Sequence, residues 1–220
     1  TADETAALTS SQVKQLSNAQ LAAFGSDQFR LLATDTLRAL APDQVVSLSA
    51  GQIGGLDSAH IDALLPKQVA VLTAAQIRSI AADAIGLMST SQIKAFSPTS
   101  LAAFGTTQVA ALTAEELATL SADQVATLSG AQIGALGNGG LNALKTGVVK
   151  ALTAAQAAGL SGDEIGQLSV PVLKALNGAA LNGFAAFAAL SGDQAKALTS
   201  VQTSQLSAAN TAIYKSLIAT

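Results

Sequence analysis

Several residue types that most functional sites require are missing or nearly missing from this sequence. Its 220 residues include no cysteine, no tryptophan, one tyrosine and one histidine. Without cysteine the chain can form neither disulfides nor thiolate metal sites. A single histidine cannot supply a pair of imidazole ligands. We therefore expect no metal site, no cysteine–histidine catalytic pair, no cofactor and no enzymatic activity.

Charged and aromatic residues are also scarce. Only 11% of the residues are charged and 3% are aromatic, and the formal net charge is −3. No segment approaches the roughly 18 consecutive apolar residues of a membrane helix, so membrane insertion is not expected, and no secretion signal is present. The chain starts with Thr1 instead of methionine, from which we expect a fragment or a processed product.

An eight-residue repeat occupies nearly the whole chain. Its consensus, [Ser/Thr]-x-x-Gln-[Val/Ile]-x-x-Leu, occurs twice in succession between Ser121 and Leu136, and the register is unbroken from Thr1 to Phe184. The eighth position is apolar in every octad of that range, and the fifth is mostly branched or aromatic. Two apolar columns therefore run along the chain.

The spacing of these columns predicts very short helices. In one continuous helix, an eight-residue period would rotate the apolar stripe by about 80° per repeat, so no single face could stay buried. A strand requires alternation of apolar and polar residues, whereas positions 5 and 8 are three residues apart, close to one helical turn. We expect one short helix in each octad, ended and restarted every eight residues.

The first four residues of the octad explain how each helix restarts. A Ser or Thr followed three residues later by Gln or Glu forms a capping box, in which each side chain accepts from the other residue's backbone N–H. Ten of the pairs that fit this pattern are Thr9/Gln12, Ser17/Gln20, Thr73/Gln76, Ser89/Gln92, Thr113/Glu116, Ser121/Gln124, Ser129/Gln132, Thr153/Gln156, Ser161/Glu164 and Ser191/Gln194.

The charged residues follow the same polarity. Acidic residues concentrate at positions 3 and 4, and basic residues at position 6, as in Asp123 and Lys174. A helix favours acids near its amino end and bases near its carboxyl end. Each octad is therefore charged like one complete helix.

Helices this short must be stabilised by their neighbours, since isolated helices are marginal below roughly 12 residues. The sequence therefore predicts an all-α solenoid, a superhelix with one helix per octad. We place it at residues 1–214 as a single array, with a register break where residues 185–190 form a six-residue unit, followed by a C-terminal tail at 215–220. Position 7 is mostly Ala or Gly, which would allow close approach of neighbouring helices.

A longer period of forty residues, or five octads, is also visible. Octads that begin at Ser17, Asp57, Ser97, Gly137 and Asn177 share a signature with Leu or Ile at position 5 and with Leu or Phe at position 8. Three explanations are open: five helices per superhelical turn, two and a half per turn, or duplication of a five-octad block without geometric meaning.

Few residues remain as candidates for chemistry. His60 occupies the glutamine position of its octad, which favours a structural role as a glutamine substitute over a ligand or base. Tyr214, at the last array position, is expected to be a closing core residue. The predicted set of catalytic, metal and cofactor residues is therefore empty.

Two local patterns resemble parts of ligand sites, but neither predicts a complete one. Aspartates recur every forty residues, from Asp3 to Asp163, but no D-x-D-x-D-G calcium loop surrounds them, and helix polarity explains their position. Gly137, Gly139 and Gly140 lie in G-N-G-G, which lacks the strand and the lysine of a phosphate-binding loop. We expect a relaxed octad there.

Nucleic acid is a possible partner of repeat solenoids. Residues Leu40 to Ser49, L-A-P-D-Q-V-V-S-L-S, resemble the start of transcription-activator-like effector repeats, but the period of eight differs from the thirty-four of that family. The octads carry at most one base each at position 6, against an acidic background. The sequence therefore predicts no nucleic-acid binding.

The tandem L-[ST]-x-x-Q-[IV]-x-x pattern, from Thr1 to about Tyr214, resembles the octapeptide-repeat regions of very large bacterial secreted or surface proteins that are often labelled adhesin-like. This resemblance implies an extracellular or cell-surface location and a structural role, and it transfers no functional residues. Two hypotheses follow. The chain is a stalk, spacer or end-to-end assembling fibre, or else one solenoid face binds a peptide, glycan or small apolar ligand.

Overall fold

A computed structural model describes residues 2–137 and 139–219. Thr1, where the predicted array begins, Asn138 of the G-N-G-G segment and Thr220 at the end of the predicted tail lie outside the described residues. The described residues form 26 α-helices, one 3-10 helix and no strand, which confirms the all-α class.

The chain divides into two compact units, Thr1–Leu112 and Thr113–Thr220. The prediction of one continuous array stays a prediction, and each unit is described by itself. The helices of unit 1 are α1 Ala2–Ala6, α2 Ser10–Val13, α3 Asn18–Ala22, α4 Ser26–Phe29, α5 Thr34–Arg38, α6 Pro42–Val46, α7 Ala50–Gly54, α8 Ser58–Ala63, α9 Pro66–Val69, α10 Ala74–Ser79, α11 Ala82–Ile85, α12 Thr90–Ala95, α13 Pro98–Ala102 and α14 Thr106–Ala110.

Unit 2 continues the pattern of short helices. Its helices are α15 Ala114–Leu117, α16 Ala122–Ala126, α17 Gly130–Gly134, α18 Gly140–Ala143, α19 Thr146–Val149, α20 Ala154–Ala157, α21 Gly162–Gly166, α22 Val170–Ala175, α23 Gly178–Gly183, the 3-10 helix Phe187–Ala189, α24 Gly192–Lys196, α25 Ser200–Ser204 and α26 Ala208–Ile218.

Most octads begin at an extended residue, which separates one helix from the next, and in several the last residue is also extended. In the octad of α12, Ser89 has φ −69° and ψ 154°, and Phe96 has φ −64° and ψ 128°. The Ser89 hydroxyl accepts from the backbone N–H of Gln92, whose Oε1 accepts from the backbone N–H of Ser89. All ten predicted capping boxes are present, so the predicted restart signal is confirmed.

The two predicted apolar columns form the core of each unit. At position 5, Ile53, Ile61, Ile77 and Ile93 are 0% exposed. Position 8 is also largely buried, with Leu40 at 1%. Burial of these aliphatic side chains supplies the stabilisation that helices of four to six residues lack alone.

Helices three positions apart in the chain pack against each other. In unit 1, α4 packs on α7, α7 on α10, and α8 on α11; in unit 2, α17 packs on α20 and α20 on α23. One superhelical turn therefore contains three octads, which is 24 residues. Forty residues are not a whole number of such turns, so the explanations by five and by two and a half helices per turn are wrong, and duplication of a five-octad block is the explanation that stays open.

The predicted register break at 185–190 contains the 3-10 helix Phe187–Ala189, whose Phe187 is 2% exposed. This helix packs against α21 on one side and α26 on the other, so it takes the place of one octad helix. A 3-10 helix completes a turn with fewer residues than an α-helix. A six-residue unit can therefore fill this place in the solenoid.

The C-terminal boundary predicted at Tyr214 differs from the structure. Helix α26 has 11 residues and continues to Ile218, so residues 215–218 are not a separate tail. Lys215 offers no hydroxyl or carboxylate cap at which a new helix could begin. No helix in the described part of the chain has the length and hydropathy needed to cross a membrane.

Candidate functional site

The polar group that recurs in every part of the fold is the glutamine at position 4 of the octads, here called the glutamine column. Gln68 shows its geometry. Its Oε1 accepts from the backbone N–H of Leu65 at 2.8 Å. Its Nε2 donates to the carbonyl oxygens of Leu37 and Leu40, both at 2.9 Å. We call this arrangement, a capped helix start bonded to the preceding turn, a glutamine clamp.

The same clamp recurs throughout both units. In each case Nε2 donates to carbonyls of the preceding turn, 28 and 31 residues earlier before the register break. Beyond the break the separations are 26 and 29 residues, because the six-residue unit lacks two residues. Among the clamped residues are Gln44, Gln52, Gln68, Gln76, Gln92, Gln108, Gln156, Gln194 and Gln202.

The acceptors of the clamp are carbonyls at the carboxyl end of each short helix. The last four carbonyls of any helix lack partners within it, and in helices of four to six residues nearly every carbonyl belongs to that group. Gln68 is 0% exposed and Gln52 is 2% exposed, so these bonds form away from water, where an unpaired carbonyl would be costly. The clamp therefore joins successive turns.

His60 takes the glutamine's place in its octad, as the sequence predicted. Its Nε2 lies 2.9 Å from the carbonyl oxygen of Leu32, which is 28 residues earlier. Its Nδ1 lies 2.6 Å from Oδ1 of Asp57, and the same Oδ1 accepts from the His60 backbone N–H at 3.0 Å. Because a carbonyl only accepts hydrogen bonds, Nε2 is the donor to Leu32.

The pKa of the Asp57 carboxyl is lowered by the backbone N–H of His60 and then by the His60 ring. Asp57 is the N-cap of α8. The Asp57–His60 pair thus reproduces the two parts of the Ser–Gln capping box with titratable groups. The His60 ring contacts the Asp57 cap through Nδ1 and the Leu32 carbonyl through Nε2. Both ring nitrogens are therefore used in a clamp, and neither faces open solvent.

Other polar side chains replace the glutamine where the column departs from consensus. The Thr36 hydroxyl donates to the Leu8 carbonyl at 2.9 Å, again 28 residues earlier. In the octad of α23, where Ala180 occupies the column, Asn177 donates instead to the carbonyls of Lys150 and Leu152 at 3.0 and 2.7 Å. These replacements indicate that bonding to the preceding turn is the common feature.

The remaining sequence candidates show other environments. Gly137 and Gly139 have φ of +69° and +95°, left-handed values that favour glycine, and they precede the four-residue helix α18. Tyr214 is half-buried on α26, less enclosed than a closing core residue was expected to be. Asp3, Asp43 and Asp83 lie in octads on three different sides of unit 1, because five octads are not a whole number of turns. They form no ladder.

Among the described residues no cluster of three or more His, Cys, Asp or Glu side chains could hold a metal ion. Two cavities in the described part of the chain are shallow. One, of about 240 Å³, lies at the first turn beside Leu8, Phe24 and Gln28. The other, of about 340 Å³, lies beside Lys150 and Lys174 in unit 2. Both lysines are exposed, and neither cavity brings together an acid–base or nucleophilic set.

The sequence predicts the capping contacts of the glutamine column but not the hydrogen bonds to the preceding turn. The sequence feature that indicates these hydrogen bonds is the preference for Gln over Glu at position 4, since either residue can form the capping contact. Only the amide also donates.

Comparison of the sequence with known protein families and with curated proteins finds no match.

Proposed function

We propose that this chain is a structural repeat segment that acts as a stalk or spacer. The observation that carries the proposal is the glutamine clamp, because nearly every buried polar side chain of the glutamine column bonds one turn to the next. Turns joined by the same contact are interchangeable, so their number sets a length. The extracellular and bacterial setting is part of this proposal and rests on the resemblance to octapeptide-repeat regions.

The arrangement of the non-consensus octads supports a spacer over a binding module. The binding hypothesis requires the forty-residue signature octads to share one face. In unit 1 these begin at Ser17, Asp57 and Ser97, and with three octads per turn they lie on three different sides. The exposed large apolar residues are similarly dispersed, with Leu31, Val46 and Leu87 in different octads. The hypothesis loses the pattern that motivated it.

A distance measurement with one turn removed tests the spacer role. Dyes can be attached specifically at Ser11→Cys and Thr107→Cys, because the chain has no cysteine of its own. Both residues are exposed. They occupy the same octad position, four turns apart. Deleting residues 73–96 removes one turn. We expect cooperative folding to persist and the dye separation to fall by about 9 Å, the usual spacing of packed helices.

Deleting residues 73–92 is the matched control, because twenty residues break the octad register. We expect it to abolish cooperative unfolding. An unchanged dye separation after the 24-residue deletion would contradict the spacer proposal. Sedimentation velocity over a hundredfold concentration range separates spacer from fibre, since a spacer gives one concentration-independent species and a fibre gives species that grow.

A further inference from the structure

His60 lies between two oxygen atoms of unit 1. Its side chain is 13% exposed. Its Nε2 lies 2.9 Å from the carbonyl oxygen of Leu32, and its Nδ1 lies 2.6 Å from Oδ1 of Asp57. A backbone carbonyl and an ionised carboxylate only accept hydrogen bonds. If the Asp57 carboxyl is ionised, each ring nitrogen therefore needs a proton of its own.

The Asp57 carboxyl is ionised because the folded chain stabilises its charged form. Its Oδ1 accepts from the backbone N–H of His60 at 3.0 Å. This N–H, and then the hydrogen bond from the His60 ring, lower the pKa of Asp57 from the ordinary value of 3.8. An ionised carboxylate has no proton to donate to Nδ1. The proton between the two side chains accordingly resides on the ring.

A neutral imidazole cannot satisfy both contacts, since it carries one N–H and one lone pair. With the proton on Nε2, the Nδ1 lone pair would face the Asp57 carboxylate. With the proton on Nδ1, the Nε2 lone pair would face the Leu32 carbonyl. Either tautomer sets two acceptors against each other, and only the imidazolium donates to both. A glutamine clamp has no such dependence, because its amide does not titrate.

The charges on the elements around His60 are of both signs. Helix α8 packs against α5 and α11, and Leu32 follows α4. Besides Asp57, the charged residues of these elements are Asp27 and Arg30 on or next to α4, Asp35 and Arg38 on α5, Asp62 on α8 and Asp83 on α11. Among these described residues, Asp57 is the one that forms an ion pair with the ring. The carboxylate that faces His60 is therefore the cap of its own helix.

We propose that His60 is a proton-dependent clamp, which joins α8 to the preceding turn while its ring carries both protons and releases one of its two contacts when the ring loses a proton. Histidine is the side chain whose ordinary charge change falls between pH 5 and 8, and the chain has one histidine. The contact between α8 and the preceding turn should therefore weaken as pH rises through this range, whereas the glutamine clamps do not respond.

Nuclear magnetic resonance of the full chain labelled with 15N-histidine tests the protonation state, because the single histidine gives one pair of ring nitrogens. At pH 5.5 we expect two ring N–H protons that exchange slowly with water, since both are hydrogen-bonded. Raising the pH to 8.5 should remove one of them. Asp57→Ser, whose side chain is shorter, should lose the slow Nδ1 proton and keep the Nε2 proton. Fewer than two slowly exchanging protons in the wild-type chain at pH 5.5 would overturn the proposal.

Thermal unfolding tests the effect on stability. His60→Gln restores the consensus amide, so we expect it to have a Tm similar to that of the wild-type chain at pH 5.5. At pH 8.5 the variant should be more stable by about 2–4 °C, the shift expected for the loss of one hydrogen bond in a chain of this size. A Tm difference that is the same at both pH values contradicts the proposal.

Asp62→Ser is the matched control, because Asp62 is exposed on the same helix and outside the cap position. It should keep the wild-type profile between pH 5.5 and pH 8.5. If Asp62→Ser removed the pH dependence, the response would come from net charge, and the assignment to the His60 ring would be wrong.

Discussion

The glutamine side chain has two separable contributions at the scale of single residues. Its carbonyl caps its own helix, and its amide bonds the helix to the preceding turn. Gln68 makes both contacts, whereas Gln20, in the first turn, makes only the capping contacts with Ser17. The two residues therefore allow the amide contribution to be measured against the cap.

Replacing Gln68 with alanine should cost about 2–4 kcal/mol of unfolding free energy, because the buried carbonyls of Leu37 and Leu40 lose their donor. Gln20→Ala should cost only about 1 kcal/mol, the typical cost of a lost cap contact. Denaturant unfolding of both variants measures the difference. Equal costs would mean that the amide bonds to the preceding turn add nothing.

Asp57 makes the cap of α8 sensitive to acid. Its pKa is lowered from the ordinary value of 3.8 by the His60 backbone N–H and ring. Its contribution is therefore present above that value and is lost as pH falls through the pKa of the folded state. Asp57→Ser keeps a cap that does not titrate, so its Tm should fall less than the wild-type Tm between pH 5 and pH 2.

Asp62→Ser is the control for this comparison, since Asp62 is exposed on the same helix and outside the cap position. Its acid profile should match the wild type. If Asp57→Ser and Asp62→Ser gave the same profile, the acid sensitivity would have to come from net charge instead of the cap.

How far single residues could be predicted depended on whether their partners were local. The capping pairs, and the role of His60 as a glutamine substitute, followed from spacings of three residues within one octad. The amide contacts of Gln68, at 28 and 31 residues, could not be predicted without knowing how many octads form a turn.

At the scale of elements, close approach of backbones is concentrated at glycines of unit 2. Gly159, at the small position 7, lies so close to Gly130 of the helix one turn earlier that a Cβ atom at Gly159 would collide with the Gly130 backbone. The contact is between backbones, so no side-chain rotation can relieve it. The predicted close approach at position 7 is confirmed there.

Gly159→Ala should therefore destabilise the protein by about 1–3 kcal/mol, the usual cost of overpacking. Gly147 provides the matched control, because it lies within α19 and nothing lies within 4 Å of the Cβ that alanine would add. Gly147→Ala should be neutral or stabilising by about 0.5 kcal/mol. Thermal unfolding of the two variants measures the contrast, and destabilisation of equal size would contradict it.

Element boundaries were predictable where a cap marks them. A Ser or Thr begins α12 and α16 at the expected residue. The extension of α26 to Ile218 was not predicted, because the octad period was continued to Tyr214 although the residues beyond it carry no restart signal. The 3-10 form of the six-residue unit was expected only as a kink or tightened turn.

At the scale of each unit, the number of octads per turn determines which residues meet. An octad sequence specifies the length of a helix and its buried side, and those predictions are confirmed. The angle between successive helices depends on packing between turns, which a uniform repeat does not encode in its spacing. The forty-residue signature therefore does not give the length of a turn. The contacts between helices three apart give it instead, as 24 residues.

A cysteine cross-link tests the three-octad turn most directly, in a chain that has no cysteine of its own. A Cβ at Gly55 would lie 3.4 Å from the Cβ of Ser26, near the separation that a disulfide requires. Mild oxidation of Ser26→Cys/Gly55→Cys should give an intramolecular disulfide, and Ser26→Cys/Pro66→Cys, forty residues apart, should give none. A cross-link in the second pair but not in the first would contradict a turn of 24 residues.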